Sequence, residues 1–137
     1  MKGLEKVLLK GKLVAIIYRK DIPVDGVKFL TEESNPFQIG LHNQQKGVKL
    51  SPHMHKISQP IIVNEIQELL YVVSGKIRIT LYDSKGEKIA KKTLTDGDSI
   101  LLLSQGHGVD FLETSKIFEV KQGPYPGTAN AKLYFEK

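Results

Sequence analysis

The amino-acid sequence predicts an all-β protein, and three observations carry that prediction. Apolar residues recur with period two or in short continuous runs, not at every third and fourth position. Turn signals separate the runs: DSKGE at 83–87, DGD at 96–98 and GPYPG at 123–127. At 137 residues the chain fits one domain with a sizeable core, and with no cysteine it has neither disulfides nor thiolate metal ligands.

Strands are expected in the following order. Lys12–Tyr18 contains LVAIIY, one of the longest apolar stretches. Val27–Thr31 is a shorter candidate, and Phe37–His42 puts Gln38, Gly40 and His42 on one face. Val48–Ile57 alternates polar and apolar. Glu68–Val73 carries Leu70 and Val72 on the face of Glu68, with Leu69, Tyr71 and Val73 behind. Lys76–Tyr82 sets Ile77, Ile79 and Leu81 opposite Lys76, Arg78 and Thr80. Ile89–Leu94, Ser99–Leu103, Val109–Leu112, Lys116–Gln122 and Ala131–Phe135 complete the series. No helix is expected beyond a turn near the N-terminus. The spacing reads as a sandwich or barrel.

The net charge of +5 raises the question of nucleic acid. Basic residues are spread along the chain, and only KIAKK at 88–92 clusters them, without the interleaved aromatics of a single-strand binder. A solvated strand is the expectation there, and no nucleic-acid partner. The apolar stretches fall short of the roughly 18 residues of a membrane span. Lys2, Lys6, Lys10 and Lys12 interrupt any signal-peptide core, so a soluble cytoplasmic protein is expected.

The stretch KLSPHMHKIS carries the strongest chemical signal, because residues i and i+2 of a strand project in parallel and can grip one ion. Lys49, Ser51, His53 and His55 would share one face, and Val48, Leu50, Pro52 and Met54 the other. The first is too polar for packed core and the second too apolar for water. Both would be covered, one by a cavity and one by N-terminal strands or a second subunit, and a homodimer is the expectation. Taken alone, the pair reads equally well as two solvent-facing histidines. Glu68 in EIQELLYVVSG and His107 in SQGHGVD each lie in a run that reads as a strand end. Glu68 also reads as a strand-end charge in water, and His107 as a turn residue tolerant of unusual dihedrals. Together, three imidazoles and one carboxylate would suit one divalent transition metal (Fe, Mn, Ni, Co or Zn).

These residues resemble the cupin superfamily, small jelly-roll β-barrels with a metal inside. The first cupin motif runs glycine, five residues, His-x-His, three or four residues, glutamate, six residues, glycine. Gly47, His53, His55, Glu68 and Gly75 match it except that twelve residues separate His55 from Glu68. Eight extra residues, four on each arm of an antiparallel hairpin, would keep His55 across from Glu68 on the same face. Such an arm would carry Gln59–Val63 with a tip near Pro60; an irregular loop returning Glu68 to register is the alternative. Glu65 is the rival carboxylate, but lacks a glycine at the right distance. The second motif runs glycine, five residues, proline, x, glycine, two residues, histidine. GDSILLLSQGHG supplies Gly97 and His107, with Leu103 at the proline position and a turn one residue shorter. FQIG, ELLYVVSGK and FEVKQGPYPG also look like small single-domain cupins found with surface-polysaccharide biosynthesis genes.

The resemblance implies a cupin-type jelly-roll barrel over residues 37–137, with residues 1–36 as N-terminal strands packing on the barrel or on a partner subunit. It implies a metal held by His53, His55, Glu68 and His107. The expected function is that of a metal-dependent enzyme, of isomerase/epimerase or oxygenase type, acting on a small polar molecule such as a sugar or sugar-nucleotide intermediate. A non-catalytic binding or sensing cupin, and a structural dimer with a stabilising metal, are the alternatives. No general base stands out in the sequence. Gln38, His42 and Tyr125 are candidate ligand-lining residues, although an exposed edge strand explains the first two and a rigid GPYPG turn the third. Glu119 and Lys121 share a face with Ile117, either as an ion pair at the barrel mouth or as a surface pair. His107 and Asp110 suggest a hydrolytic triad, but no G-x-S-x-G elbow accompanies them.

Overall fold

The computed structural model describes residues 1–57, 60 and 62–135. Its elements are β1 (Leu4–Leu9), β2 (Lys12–Tyr18), β3 (Gly26–Phe29), β4 (Gly40–Asn43), β5 (Glu68–Ser74), β6 (Lys76–Tyr82), β7 (Lys88–Thr95), β8 (Ser99–Leu102), β9 (Gly106–Phe111), β10 (Lys116–Lys121) and a single helical turn, α1 (Thr128–Ala131). The all-β expectation holds, and every pairing is antiparallel. The strands form open sheets of five, three and two strands, with no closed ring among the described residues.

The chain divides into two compact units, Met1–Ile22 with Glu65–Lys137, and Pro23–Asn64. The expected boundary near residue 36 does not coincide with this division. The N-terminal strands belong to the larger unit because β2 pairs directly with β8.

In the larger unit, a five-stranded sheet of order β1-β2-β8-β5-β10 and a three-stranded sheet of order β7-β6-β9 share one core. Ala15, Ile17, Leu70, Val72, Ile100 and Leu102 enter it from the first sheet; Ile77, Ile79, Leu81 and Leu94 enter from the second. Burying each of the valine, isoleucine and leucine side chains among them contributes about 1.5–3 kcal/mol. The alternation foreseen for β5 and β6 is what delivers these residues inward.

Three local devices set the arrangement. Lys10 and Gly11 both take positive φ, 49° and 80°, as a two-residue hairpin turn requires, and close β1 onto β2. At the β6–β7 turn, the Asp83 carboxylate accepts hydrogen bonds from the amides of Lys85 and Glu87, each at 2.9 Å. Gly75 alone links β5 to β6, and the chain changes sheets there with φ of +106°. A Cβ at this corner would strike the Ser115 hydroxyl and the Thr114 carbonyl.

A polar clamp ties β2 to the turn before β8. Asp98, 5% exposed, accepts from the Thr95 amide at 3.0 Å, the Lys20 amide at 3.1 Å and Arg19 Nη1 at 3.0 Å. Arg19 Nε also donates to Glu5 at 2.6 Å. Burial pushes the Asp98 carboxyl up, but the amide bonds and the Arg19 guanidinium outweigh it and hold the group below its ordinary value.

Two expected strands are absent. Residues 48–57 form none, and Val48, Leu50 and Met54, the apolar face foreseen for this segment, are exposed in the single chain. Pro52 supplies the reason, since it lacks a ladder N–H and restricts Ser51 before it. The described residues between 56 and 67 form no hairpin strands; Gln59 and Ile61, which the expected longer arm would carry near its tip, lie outside the described residues. At the other place, Ala131 ends α1, residues 132–135 follow it irregularly, and the Phe135 ring packs on Tyr82 with centroids 5.7 Å apart.

In the smaller unit, β3 and β4 form a hairpin sheet, Val27 opposite His42. β4 begins later than expected because the Gln38 amide folds back to donate to the carbonyls of Glu32, Glu33 and Asn35.

Candidate functional site

A pocket of about 330 Å³ opens in the larger unit between β5 and β10 of one sheet and β9 of the other. Its lining includes Glu68, His107, Glu119 and Lys132, with Leu70, Val109, Phe111 and Ile117 as apolar walls. Register explains the convergence. Glu68 pairs across from Lys121, Leu70 from Glu119 and Val72 from Ile117, so β10 turns Ile117, Glu119 and Lys121 to the face of Glu68.

His107 arrives from β9, opposite Leu81 of β6. Its Nε2 lies 3.4 Å from Glu68 Oε2, with the two side chains 32% and 13% exposed. Burial is the leading influence on both groups. It pushes the Glu68 carboxyl up to about 7, helped by a hydrogen bond with Glu119. It lowers His107, and the Lys132 charge lowers it further. Both effects favour uncharged forms, so the contact is not a strong ion pair.

The Glu68–Glu119 hydrogen bond requires one proton between two carboxyls. Glu119 is held below its ordinary value by that bond, and Lys121, 3.8 Å away, adds to the effect against the opposing influence of burial. Burial favours the proton on Glu68, the more enclosed of the two carboxyls. An acid, a carboxylate and a neutral imidazole meet in one pocket, a set able to hold or relay a proton.

Of the residues nominated by the sequence, Glu68 and His107 are thus together. His53 and His55 lie in the smaller unit, exposed, with ring centroids 5.1 Å apart. His53 Nδ1 is 2.8 Å from the Ser51 carbonyl. A carbonyl only accepts, so Nδ1 carries the proton and the Nε2 lone pair is left for a ligand. Among the described residues no group of three or more histidine, aspartate or glutamate side chains is placed to hold a metal ion.

The three candidate lining residues have other surroundings. Gln38 is committed to its own loop, where Thr31 also donates to it at 3.2 Å. His42 is exposed on β4. Tyr125 is 67% exposed and its hydroxyl is 3.0 Å from that of Thr128. Leu103, at the expected proline position, donates its amide to the Val14 carbonyl at 3.0 Å, a bond proline cannot make. Glu119 was legible only as one half of an ion pair, and Lys132 gave no signal at all.

The molecule is an all-β protein of open antiparallel sheets whose larger unit carries a carboxyl–imidazole pocket. No protein-family model, no curated protein and no solved structure matches the chain.

Proposed function

We propose that the protein is a metal-binding, cupin-type jelly-roll protein acting on a small polar molecule, plausible substrates being a sugar or sugar-nucleotide intermediate. One divalent transition ion would be held by His53, His55, Glu68 and His107. The observation that carries this reading is the 3.4 Å approach of Glu68 and His107, the two donors nominated on separate strands. Their donor types fit such an ion, and the His53 tautomer, fixed by a backbone carbonyl, is the form a metal-ligating histidine takes. When bound, the ion would polarise a carbonyl or hydroxyl or activate water. The chain's own contribution would be to orient substrate against Leu70 and Ile117 and to hold a proton on the Glu68–Glu119 pair. Isomerase/epimerase and oxygenase chemistries are both within that reach, and a homodimer is part of the proposal.

A second reading is a binding or sensing module that needs no metal. The Glu68–Glu119 bond favours it, because a shared proton already neutralises the buried carboxyl.

Elemental analysis of the purified protein, followed by titration with Fe, Mn, Ni, Co and Zn, separates the two. The first reading expects about one ion per chain, lost in both His53→Ala and Glu68→Gln. A protein that takes up no ion, yet is stabilised by a carbohydrate, would leave the second standing.

A further inference from the structure

We propose that Lys132 selects a ligand bearing a single carboxylate, and that Phe135 positions it to do so. The inference rests on the pocket being a small-molecule site, in either of the readings above, and not on the metal.

Lys132 lines the pocket alongside Glu68, His107 and Glu119, yet forms no ion pair within 4.0 Å among the described residues. Lys121, the other nearby cation, is already engaged with Glu119. The Lys132 charge acts on Glu68, Glu119 and His107 without a direct pairing, which leaves one ammonium in the pocket open to a guest. Lys132 is exposed, but the segment that carries it is fastened three residues later. The Phe135 ring packs on Tyr82 and lies against Gly86 and Gly106, and a Cβ at Gly106 would run into it.

The neighbours decide which anion fits. The Glu119 carboxylate shares the pocket with the ammonium, so a doubly charged phosphate would meet more repulsion than a singly charged carboxylate. A lone lysine offers a point charge without the bidentate fork that favours phosphate. Leu70, Val109 and Ile117 offer a short carbon skeleton an apolar wall, and about 330 Å³ limits its size.

The test is calorimetric titration of the full chain with lactate and glycerate, with neutral methyl lactate and glycerol, and with inorganic phosphate. The wild type is expected to bind a carboxylate about tenfold or more tightly than its neutral analogue or phosphate. Lys132→Met and Phe135→Ala should each remove about tenfold of that affinity, and Lys132→Arg should restore most of it. Glycerol or phosphate binding as tightly as the carboxylates, no carboxylate binding, or an unchanged Lys132→Met would overturn the proposal. Metal content measured on the same samples keeps the readings apart. Lys132→Met should retain whatever ion the wild type holds, and a metal-free wild type that still prefers lactate sinks only the metal reading.

Discussion

Glu68 Oε2 and His107 Nε2 meet at 3.4 Å although one belongs to the five-stranded sheet and the other to the three-stranded sheet. Burial moves both away from charge, which gives the pocket a pH signature. The Glu68 carboxyl, ordinarily at 4.5, is raised to about 7. Its contribution to stability is complete below 4.5 and is lost as pH climbs to about 7, because the unfolded chain releases the proton first. His107, lowered from 6.5, acts in the opposite sense, its contribution being lost as pH falls below 6.5. Urea denaturation of metal-free wild type and Glu68→Gln at pH 5 and pH 7.5 isolates the first effect. The wild type should lose at most about 3 kcal/mol relative to the variant across that interval. Parallel pH curves would remove the case for a buried protonated Glu68.

Asp98 gathers two backbone amides and Arg19 at one buried carboxylate. Asp98→Asn keeps the shape but discards the charge, and the expected cost is about 2 kcal/mol in chemical denaturation. A change under half that size would mean the clamp is dispensable.

The Gly75 corner tolerates no side chain. Gly75→Ala should destabilise by at least about 2 kcal/mol, from positive φ and contact with Ser115 together. Adding Ser115→Ala should not restore stability, since the Thr114 carbonyl stays in place. Full rescue by the double variant would show that the backbone there can give way.

Leu103 tests the departure from the cupin pattern. Leu103→Pro removes the amide that reaches Val14 and should cost about 3 kcal/mol or more, read from the urea midpoint. A neutral result would mean the strand accepts the proline that the pattern calls for.

Tyr18 is 3% exposed, and its hydroxyl has no hydrogen-bond partner among the described residues. Burial pushes its phenol up to about 12. Tyr18→Phe should therefore be neutral or stabilising by about 1 kcal/mol. A clear loss in thermal midpoint would reveal a partner for that hydroxyl.

Local pattern located the strands whose partners lie within the core. Lys12–Tyr18 and Lys76–Tyr82 have the expected bounds because their apolar residues leave one pairing that buries them. It missed β1, whose lysines dilute the alternation, although Lys10-Gly11 before a matching strand was the available signal. It overreached at residues 48–57, where alternation outweighed Pro52. In the site, parity placed Glu68 on the inward face with Leu70 and Val72. Lys132 was beyond reach because its position depends on where Phe135 lands, a tertiary contact with no local pattern.

The strand β10 changes character along its inward face, from Ile117 beside fully buried Val72 to Glu119 and then Lys121 beside Glu68. A guest entering along that wall would give up water in stages and keep its charged head near the lysines while its carbons reached Ile117. The strand would thereby impose an end-to-end orientation on any molecule with one polar and one oily end. A one-residue slip of β10 would turn Phe118 and Val120 inward and erase that sense of direction.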